Sequence, residues 1–192
     1  VLGRVHGSAE ALAFPLSTEE VSALLRYAHE HRVPVTPRGA GTNLVGSTVP
    51  LEGGIILDLS RMDRVLELDE DTMTVTVEPG MLLQDLQAYV EARGLFYPPD
   101  PGEKASSIGG NISTNAGGMR AEVVLADGTV MQVGGKQVKD ASGLSLKHLL
   151  IGSEGTLAVI TKCLLRLVPK PEASLSVLVP YADLKTGIQS VL

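Results

Sequence analysis

Apolar and polar residues recur along this chain with periods that predict both helices and strands. Residues 11–15 have the pattern of a short strand, and Ser17 with Glu20 has the spacing of a capping box at a helix start. A strand over residues 33–36 would complete a βαβ unit, and residues 55–59 predict a further strand. The apolar stripe of the helix would comprise Val21, Leu24, Leu25 and Ala28.

Two later regions have the pattern of β-hairpins. Residues 65–68 and 72–78 flank three acidic residues, and the second segment alternates apolar and polar positions. Residues 122–125 and 129–133 flank Asp127-Gly128, a dipeptide typical of tight turns. The chain therefore predicts an antiparallel sheet after the βαβ unit.

The remaining patterns complete the predicted elements. A helix begins near Leu82 and ends at Gly94. Residues 156–168 predict either one long strand or a pair of strands, with Cys163 buried in it. Residues 175–179 and 183–192 predict a strand and a helix that open another domain, so we expect the chain to be a piece of a longer polypeptide.

Composition excludes several classes of function. The net charge is −6 and aromatic residues make up 3% of the chain, so a nucleic-acid-binding surface is not expected. The single cysteine excludes an internal disulfide framework and fits a reducing compartment. No apolar run is long enough to cross a bilayer.

Residues 37–47 form the first of three glycine-rich segments, which we predict to be loops. Closely spaced glycines let consecutive backbone N–H groups face one anion, and Thr42, Asn43 and Ser47 add polar side chains. The segment lacks the third glycine of a dinucleotide fingerprint, and Ser47 stands where a Walker loop has lysine. A phosphate site and an ordinary glycine-rich turn are about equally favoured by this segment alone.

The second segment comprises residues 97–102 and then 106–118, and the third comprises residues 151–157. The second holds two Gly-Gly pairs, which disfavour both helix and strand, yet Ile108, Ile112 and Ala116 argue against a freely solvated loop. It favours a loop that lines a ligand. In the third, Glu154 between glycines could accept hydrogen bonds from ribose hydroxyls or be a solvated turn residue.

Taken together, these motifs resemble the FAD-linked oxidases of the vanillyl-alcohol oxidase and p-cresol methylhydroxylase superfamily. The pattern is most similar to the FAD subunit of glycolate oxidase and to D-lactate dehydrogenases, over about residues 13–172. The resemblance implies an α+β, two-subdomain FAD-binding fold, with a small βαβ subdomain and a larger mixed or antiparallel sheet with helices. It places the FAD-binding domain at residues 1–172, divided near residue 60, and the start of a cap or substrate domain at residues 173–192.

The resemblance also implies a set of cofactor-binding residues. The first loop would hold the FAD diphosphate, the second would run along the diphosphate and flavin, and the third would lie near the adenosine. The implied residues are Pro37, Arg38, Gly39, Ala40, Gly41, Thr42, Asn43, Leu44, Gly46, Asp100, Pro101, Ile108, Gly109, Gly110, Asn111, Thr114, Asn115, Gly117, Glu154, Gly155 and Ile160.

The chain departs from the family pattern in three places. A stretch containing Lys-Tyr-Gly has no counterpart between Ala121 and Glu122, which leaves open a deletion or residues omitted from the sequence. Leu144 replaces a usual tyrosine and Ala158 a usual glycine. No histidine lies in the glycine-rich segments, so we expect FAD to be bound non-covalently, and we expect no metal site in this chain.

By the same resemblance, the full enzyme would oxidise a small D-2-hydroxy acid, glycolate or D-lactate, with transfer of electrons through the flavin. The catalytic base would lie beyond Leu192, so this chain alone would be inactive. Two alternatives stay open: a non-catalytic FAD-binding subunit of such an oxidase, and an NADPH-dependent flavin reductase of the same fold. Expected partners are the substrate and other subunits of an oxidase complex, in the cytoplasm or at the inner membrane face.

Overall fold

Residues 5–60 contain a three-stranded parallel sheet and one helix. In the computed structural model, which describes residues 5–115, 120–134, 145–173 and 175–190, the strands lie in the order β1-β3-β2. The predicted β-α-β connection is confirmed, but β1 and β2 do not pair, because β3 lies between them and bonds to both. The elements are β1 (Ala11–Ala13), α1 (Thr18–His31), β2 (Val35–Arg38) and β3 (Ile55–Asp58).

Helix α1 begins and ends where its sequence predicts. The Ser17 hydroxyl accepts a hydrogen bond from the Glu20 N–H at 3.3 Å, and the Glu20 carboxylate accepts one from the Leu16 N–H at 2.7 Å. In the usual capping box this carboxylate accepts a hydrogen bond from the N–H of the capping residue, here Ser17, whereas in α1 it accepts one from the N–H of Leu16. Arg32, at φ 54°, ends the helix in the left-handed region.

A five-stranded antiparallel sheet forms the larger of the two sheets, in the order β4-β5-β9-β7-β8. Both predicted hairpins are present, and β9 is one long strand, so the strand-pair alternative is wrong. The remaining elements are β4 (Val65–Asp69), β5 (Thr74–Val77), α2 (Leu83–Glu91), β6 (Leu95–Phe96), α3 (Ile108–Ser113), β7 (Arg120–Leu125), β8 (Val130–Gly134), α4 (Leu146–Leu150), β9 (Ala158–Arg166), β10 (Val168–Pro169) and α5 (Leu184–Gln189).

The main core lies between this sheet and helices α2 and α3. Leu86 of α2, Ile108 and Ile112 of α3, and Cys163 of β9 are all buried there. Burial raises the pKa of the Cys163 thiol, which keeps it protonated and agrees with the prediction of a buried strand residue. Among the helices that the structure describes, none combines the length and apolar character needed to span a membrane.

Two sequence predictions are wrong. Residues 106–115 are not a simple loop, because α3 forms within them: the Ser107 hydroxyl caps its start, and burial of Ile108 and Ile112 outweighs the low helix propensity of the glycines. Residues 175–179 form no strand, and no described strand lies beside them to share backbone hydrogen bonds. The predicted last helix is present as α5.

The two sheets are joined through α1 and the β7-β8 hairpin. The Thr18 hydroxyl donates to the Glu122 carboxylate at 2.8 Å, and the same carboxylate pairs with the Lys162 ammonium at 2.8 Å. The Ser22 hydroxyl donates to the Gly128 carbonyl at 2.5 Å. Strand β7 runs through Ala121 and Glu122 without a break.

The buried Glu78 carboxylate should make stability depend on pH. Burial raises its pKa, but hydrogen bonds from the Arg64 guanidinium and N–H outweigh burial, so the pKa lies below its usual value. A lowered pKa stabilises the folded protein at pH values above the pKa of the same carboxyl in the unfolded chain, which is about 4.3. That stability is lost as the pH falls through the pKa of the folded state. Glu78→Gln should therefore lower the free energy of unfolding by about 1–3 kcal/mol near pH 7, as measured by urea denaturation.

The difference between wild type and Glu78→Gln should shrink as the pH falls from about 4.3 through the lowered folded pKa, because the carboxyl of the unfolded chain is protonated first and the native carboxyl only at lower pH. Glu52→Gln, at an exposed position, is the matched control and should show a change within about 0.5 kcal/mol. A difference that stays constant from pH 7 to pH 3 would contradict this role for Glu78.

Candidate functional site

A cleft opens where the loop after β2, helix α3 and the turn before β9 meet. These three segments correspond to the three glycine-rich segments of the sequence, and they are brought to one surface although more than a hundred residues separate the first from the last. The predicted residues that line the cleft are Pro37, Arg38, Gly39, Ala40, Gly41, Thr42, Asn43, Gly109, Gly110, Asn111, Thr114, Glu154, Gly155 and Ile160.

Several other predicted residues do not line this cleft. Leu44 is 83% exposed, and Ile108 is fully buried in the main core with its N–H bonded to the Met81 carbonyl. Asp100 is bonded to Lys104 at 2.7 Å on the surface. The residues outside the lining are Leu44, Gly46, Asp100, Pro101, Ile108 and Asn115. Gly117, like Leu144, lies outside the described residues.

The loop after β2 presents unused backbone donors to the cleft. Gly41 has φ 72°, in the left-handed region, and turns the chain at this point. Within the described part of the chain, the N–H groups of Gly41, Thr42 and Asn43 donate no hydrogen bond. Consecutive free N–H groups in such a turn form an anion-binding concavity.

The Asn43 side chain fixes the shape of this loop. Its Oδ1 accepts hydrogen bonds from the Gly46 N–H at 2.8 Å and the Ser47 N–H at 3.2 Å, and its Nδ2 donates to the Thr48 hydroxyl at 3.1 Å. The carboxamide is therefore engaged within the loop, and the contribution of Asn43 to the cleft is its backbone N–H.

Arg38 supplies positive charge beside these donors. Its Nε lies 3.6 Å from the buried Asp58 carboxylate, and 43% of its side chain remains exposed. The Asp58 carboxylate also accepts a hydrogen bond from the Ser60 N–H at 3.0 Å. Asp58 thus holds one edge of the guanidinium while the rest of it stays available to an anion.

Helix α3 contributes side chains rather than backbone donors. The Gly109 N–H donates to the Pro79 carbonyl at 2.8 Å, the Gly110 N–H to the Ser107 hydroxyl at 3.3 Å, and the Asn111 N–H to the Ser107 carbonyl at 2.9 Å. A Cβ at position 109 would lie 2.6 Å from the Pro79 Cβ. Gly109 is therefore required for packing against Pro79, and the N–H groups of Gly109, Gly110 and Asn111 are all engaged within the protein.

The turn before β9 closes the cleft. The Glu154 N–H donates to the Ser113 carbonyl at 2.9 Å, and Glu154 has φ 52°, so the turn is tied to the end of α3. A Cβ at Gly155 would lie 3.0 Å from the Pro37 Cγ, which shows how closely this turn approaches β2. The Glu154 carboxylate is exposed at the rim of the cleft.

Sequence reasoning missed part of the lining. Ser107 is the most informative of the lining residues that were not predicted. Its hydroxyl accepts hydrogen bonds from the N–H groups of Ala40 in the first loop and Gly110 in α3, at 3.3 Å each. Its position before a helix is a capping signal that the sequence does contain. The lining residues that the sequence did not predict are Ser47, Thr48, Leu59, Pro79, Ser106, Ser107, Ser113, Ala158 and Val159.

A second cavity of about 580 Å³ adjoins the cleft. It lies between the end of α1, the start of β2 and β9, with Leu25, Val35 and Leu157 among its lining residues and Arg32 at one side. The two cavities share Pro37, Gly155, Ala158 and Val159, so a long ligand could extend from one into the other.

Comparison with known proteins gives consistent matches. A family model described as "FAD binding domain" matches residues 9–134. The chain is 45% identical over 196 residues to glycolate oxidase subunit GlcD of Bacillus subtilis, covering 95% of this chain and 42% of that protein. It is 42% identical over 202 residues to D-lactate dehydrogenase of Anaerostipes hadrus, covering 97% of this chain and 42% of that protein.

A solved structure shows the same fold. The chain aligns with p-cresol methylhydroxylase with substrate bound at a TM-score of 0.72 and 22% identity, covering 87% of this chain and 37% of that one. At this identity the match bears on the fold alone. The chain spans about 42% of the length of the two relatives named above.

Proposed function

Since the chain belongs to the FAD binding domain family, with FAD as its cofactor, we propose that it is the FAD-binding portion of a larger flavin-dependent oxidase or dehydrogenase of small D-2-hydroxy acids. The predicted resemblance to FAD-linked oxidases and the predicted fold type are confirmed. The names of the relatives support glycolate or D-lactate as the substrate.

One observation carries the assignment of the cleft to FAD. The backbone N–H groups of Gly41, Thr42 and Asn43, which donate to no residue that the structure describes, lie with the Arg38 guanidinium at the cleft wall. Such an arrangement suits a diphosphate, whose charge needs several donors and a cation. The residues that would hold FAD are those of the cleft lining named above. The adjoining cavity would accept the adenosine, beside Gly155.

Bound FAD supplies the two-electron oxidation that converts an alcohol carbon to a carbonyl. This chain's own residues would hold the cofactor and exclude water from it. The buried residues Ile160 and Val159 give the cleft an apolar floor, and the turn at Glu154 closes its side. We place the group that takes the substrate's hydroxyl proton in the part of the enzyme outside this chain.

The visible spectrum of the full-length protein tests this proposal. We expect an oxidised flavin band that bleaches under anaerobic conditions when glycolate or D-lactate is added. Bleaching by NADPH instead would indicate a flavin reductase of the same fold. A flavin band that no hydroxy acid and no NADPH bleaches would indicate an FAD-binding subunit that depends on a partner. The 192-residue chain alone should show no turnover.

The flavin should be released completely when the protein is denatured. The described residues that line the cleft include no histidine or cysteine, the side chains that most readily link to a flavin ring, so we expect non-covalent binding. Precipitation with trichloroacetic acid should leave all of the yellow colour in the supernatant, as FAD by chromatography. Flavin fluorescence that stays with the protein band on a denaturing gel would contradict this prediction.

A further inference from the structure

We propose that Asp58 is a positioning residue for the cofactor site, which acts through the Arg38 guanidinium to hold the turn at Gly41. Asp58 itself is not among the residues that line the cleft. Its role is to fix the direction of the backbone N–H groups of residues 41–43, which the proposed function assigns to the FAD diphosphate. The inference therefore rests on that function and adds a residue from outside the cleft.

The small sheet places Asp58 and Arg38 side by side at the ends of two neighbouring strands. Arg38 ends β2, Asp58 ends β3, and the two residues are Cα partners in the parallel register. The Leu59 N–H donates to the Arg38 carbonyl at 2.9 Å, so the backbone pairing continues beyond Asp58. Because Cα partners on neighbouring strands project to the same face of a sheet, the backbone alone brings the two side chains together.

Asp58 carries a buried charge that needs the guanidinium. Asp58 is 7% exposed, and its Oδ1 accepts a hydrogen bond from the Ser60 N–H at 3.0 Å. Its Oδ2 lies 3.6 Å from the Arg38 Nε, and Arg38 is the only cation paired with it in the part of the chain that the structure describes. A buried carboxylate is costly unless a counter-charge and hydrogen bonds compensate it. Asp58 and Arg38 therefore hold each other in place.

The anchored guanidinium lies against the turn of the first loop. A Cβ at Gly41 would lie 3.1 Å from the Arg38 Nε and 3.2 Å from its Nη2. The Nε is also the atom that lies 3.6 Å from the Asp58 carboxylate, so one edge of the guanidinium is close to both the carboxylate and the turn. The guanidinium therefore occupies the space that a side chain at position 41 would need, and it limits how far the turn can move.

Hydrogen bonds hold the first loop on either side of this turn, at Ala40 and at Asn43. Between these points, the N–H groups of residues 41–43 donate to no residue that the structure describes. The contact with Arg38 is at the start of this stretch. Donors that are held in place before a ligand arrives bind it more tightly, because less freedom is lost on binding. Removing the Asp58 charge should therefore weaken cofactor binding by releasing Arg38 from the turn.

A double-mutant cycle on FAD affinity in the full-length protein tests this role. Asp58→Asn removes the charge but keeps the shape of the side chain and the acceptor for the Ser60 N–H, and it should weaken FAD binding about 10-fold. Arg38→Gln should weaken binding at least as much. The double variant should be no weaker than Arg38→Gln alone, because Asp58 acts through Arg38. Asp63→Asn removes the same charge at an exposed position and should bind FAD as wild type does.

Two further measurements separate positioning of the cofactor site from a purely structural role. In Asp58→Asn, the phosphorus NMR signals of the bound FAD diphosphate should move, while the flavin absorption band should keep its wavelength. Gly41→Ala should weaken FAD binding more in wild type than in an Arg38→Ala background, where the guanidinium that the added Cβ would meet is absent. The left-handed backbone at position 41 is common to both backgrounds, so its cost cancels.

Additive losses in the cycle of Asp58→Asn and Arg38→Gln would overturn the proposal. Tighter binding of FAD by Asp58→Asn would also overturn it, since Asp58 would then keep Arg38 away from the diphosphate. Urea denaturation of each variant ensures that affinities are compared between folded proteins. If Asp58→Asn did not fold, additivity in the cycle of Gly41→Ala and Arg38→Ala would overturn the proposal by itself. Wild type that bound no FAD would instead contradict the proposed function.

Discussion

Replacing Gly109 with alanine should destabilise the protein by about 1–3 kcal/mol and weaken FAD binding about 10-fold. The added Cβ would lie 2.6 Å from the Pro79 Cβ and 3.0 Å from the Pro79 carbonyl oxygen, so α3 and the segment before α2 would have to move apart. That movement would carry Ser107 away from Ala40 and would widen the cleft. Urea denaturation and FAD titration measure the two effects.

Gly110→Ala is the matched control, because it makes the same change one residue further along the same helix. Its Cβ would meet only the Ser107 hydroxyl oxygen, at 3.0 Å. Alanine also has a higher helix propensity than glycine, by about 1 kcal/mol. The stability of Gly110→Ala should therefore equal or exceed that of wild type. If the two variants lost equal stability, the contact with Pro79 would not be the reason that glycine is needed at position 109.

These two glycines show what the sequence could and could not reveal. The Gly-Gly pair disfavours both helix and strand, and the apolar residues around it favour a loop that lines a ligand. In the structure, Gly109 closely approaches Pro79, a residue thirty positions earlier. No local pattern identifies such a partner, because it depends on how distant segments pack.

Elements with strong local signals were predicted well. Helix α1 has a capping serine and an apolar stripe, and the β7-β8 hairpin has Asp127-Gly128 at its turn, with Gly128 at φ 84°. The order β1-β3-β2 was not predicted, because the pairing of β3 with both neighbours involves residues up to forty-four positions apart. Helix α3 was missed for a similar reason: its stability comes from the buried Ile108 and Ile112 rather than from its own helix propensity.

The convergence of the three glycine-rich segments was expected from the family resemblance and not from periodicity. Hydrogen bonds explain how it is achieved: Ser107 joins the first loop to α3, and Ser113 joins α3 to the turn at Glu154. Serines at these positions look like ordinary polar residues in the sequence. Only the structure shows that they link the walls of one cleft.

Replacing Gly128 with alanine should cost more stability than the same change at Gly102, by about 1–3 kcal/mol. The two glycines have nearly the same backbone conformation, φ 84° and φ 85°, so the cost of placing alanine in the left-handed region is common to both variants. A Cβ at Gly128 would lie 2.7 Å from the Ser22 carbonyl oxygen and 2.9 Å from the Arg26 Cβ, whereas a Cβ at Gly102 would have no atom within 4 Å. The difference between the two free energies of unfolding therefore measures the contact between α1 and the β7-β8 hairpin.

The same pair of variants tests whether that contact holds the cofactor cleft together. Helix α1 packs with the sheet that carries the loop after β2, and the β7-β8 hairpin belongs to the sheet that packs against α3. Moving α1 away from Gly128 should shift one wall of the cleft relative to the other, so Gly128→Ala should weaken FAD binding more than Gly102→Ala does. If Gly128→Ala lost stability but kept the FAD affinity of Gly102→Ala, the cleft would not depend on the contact between α1 and Gly128, and that contact would serve only the fold.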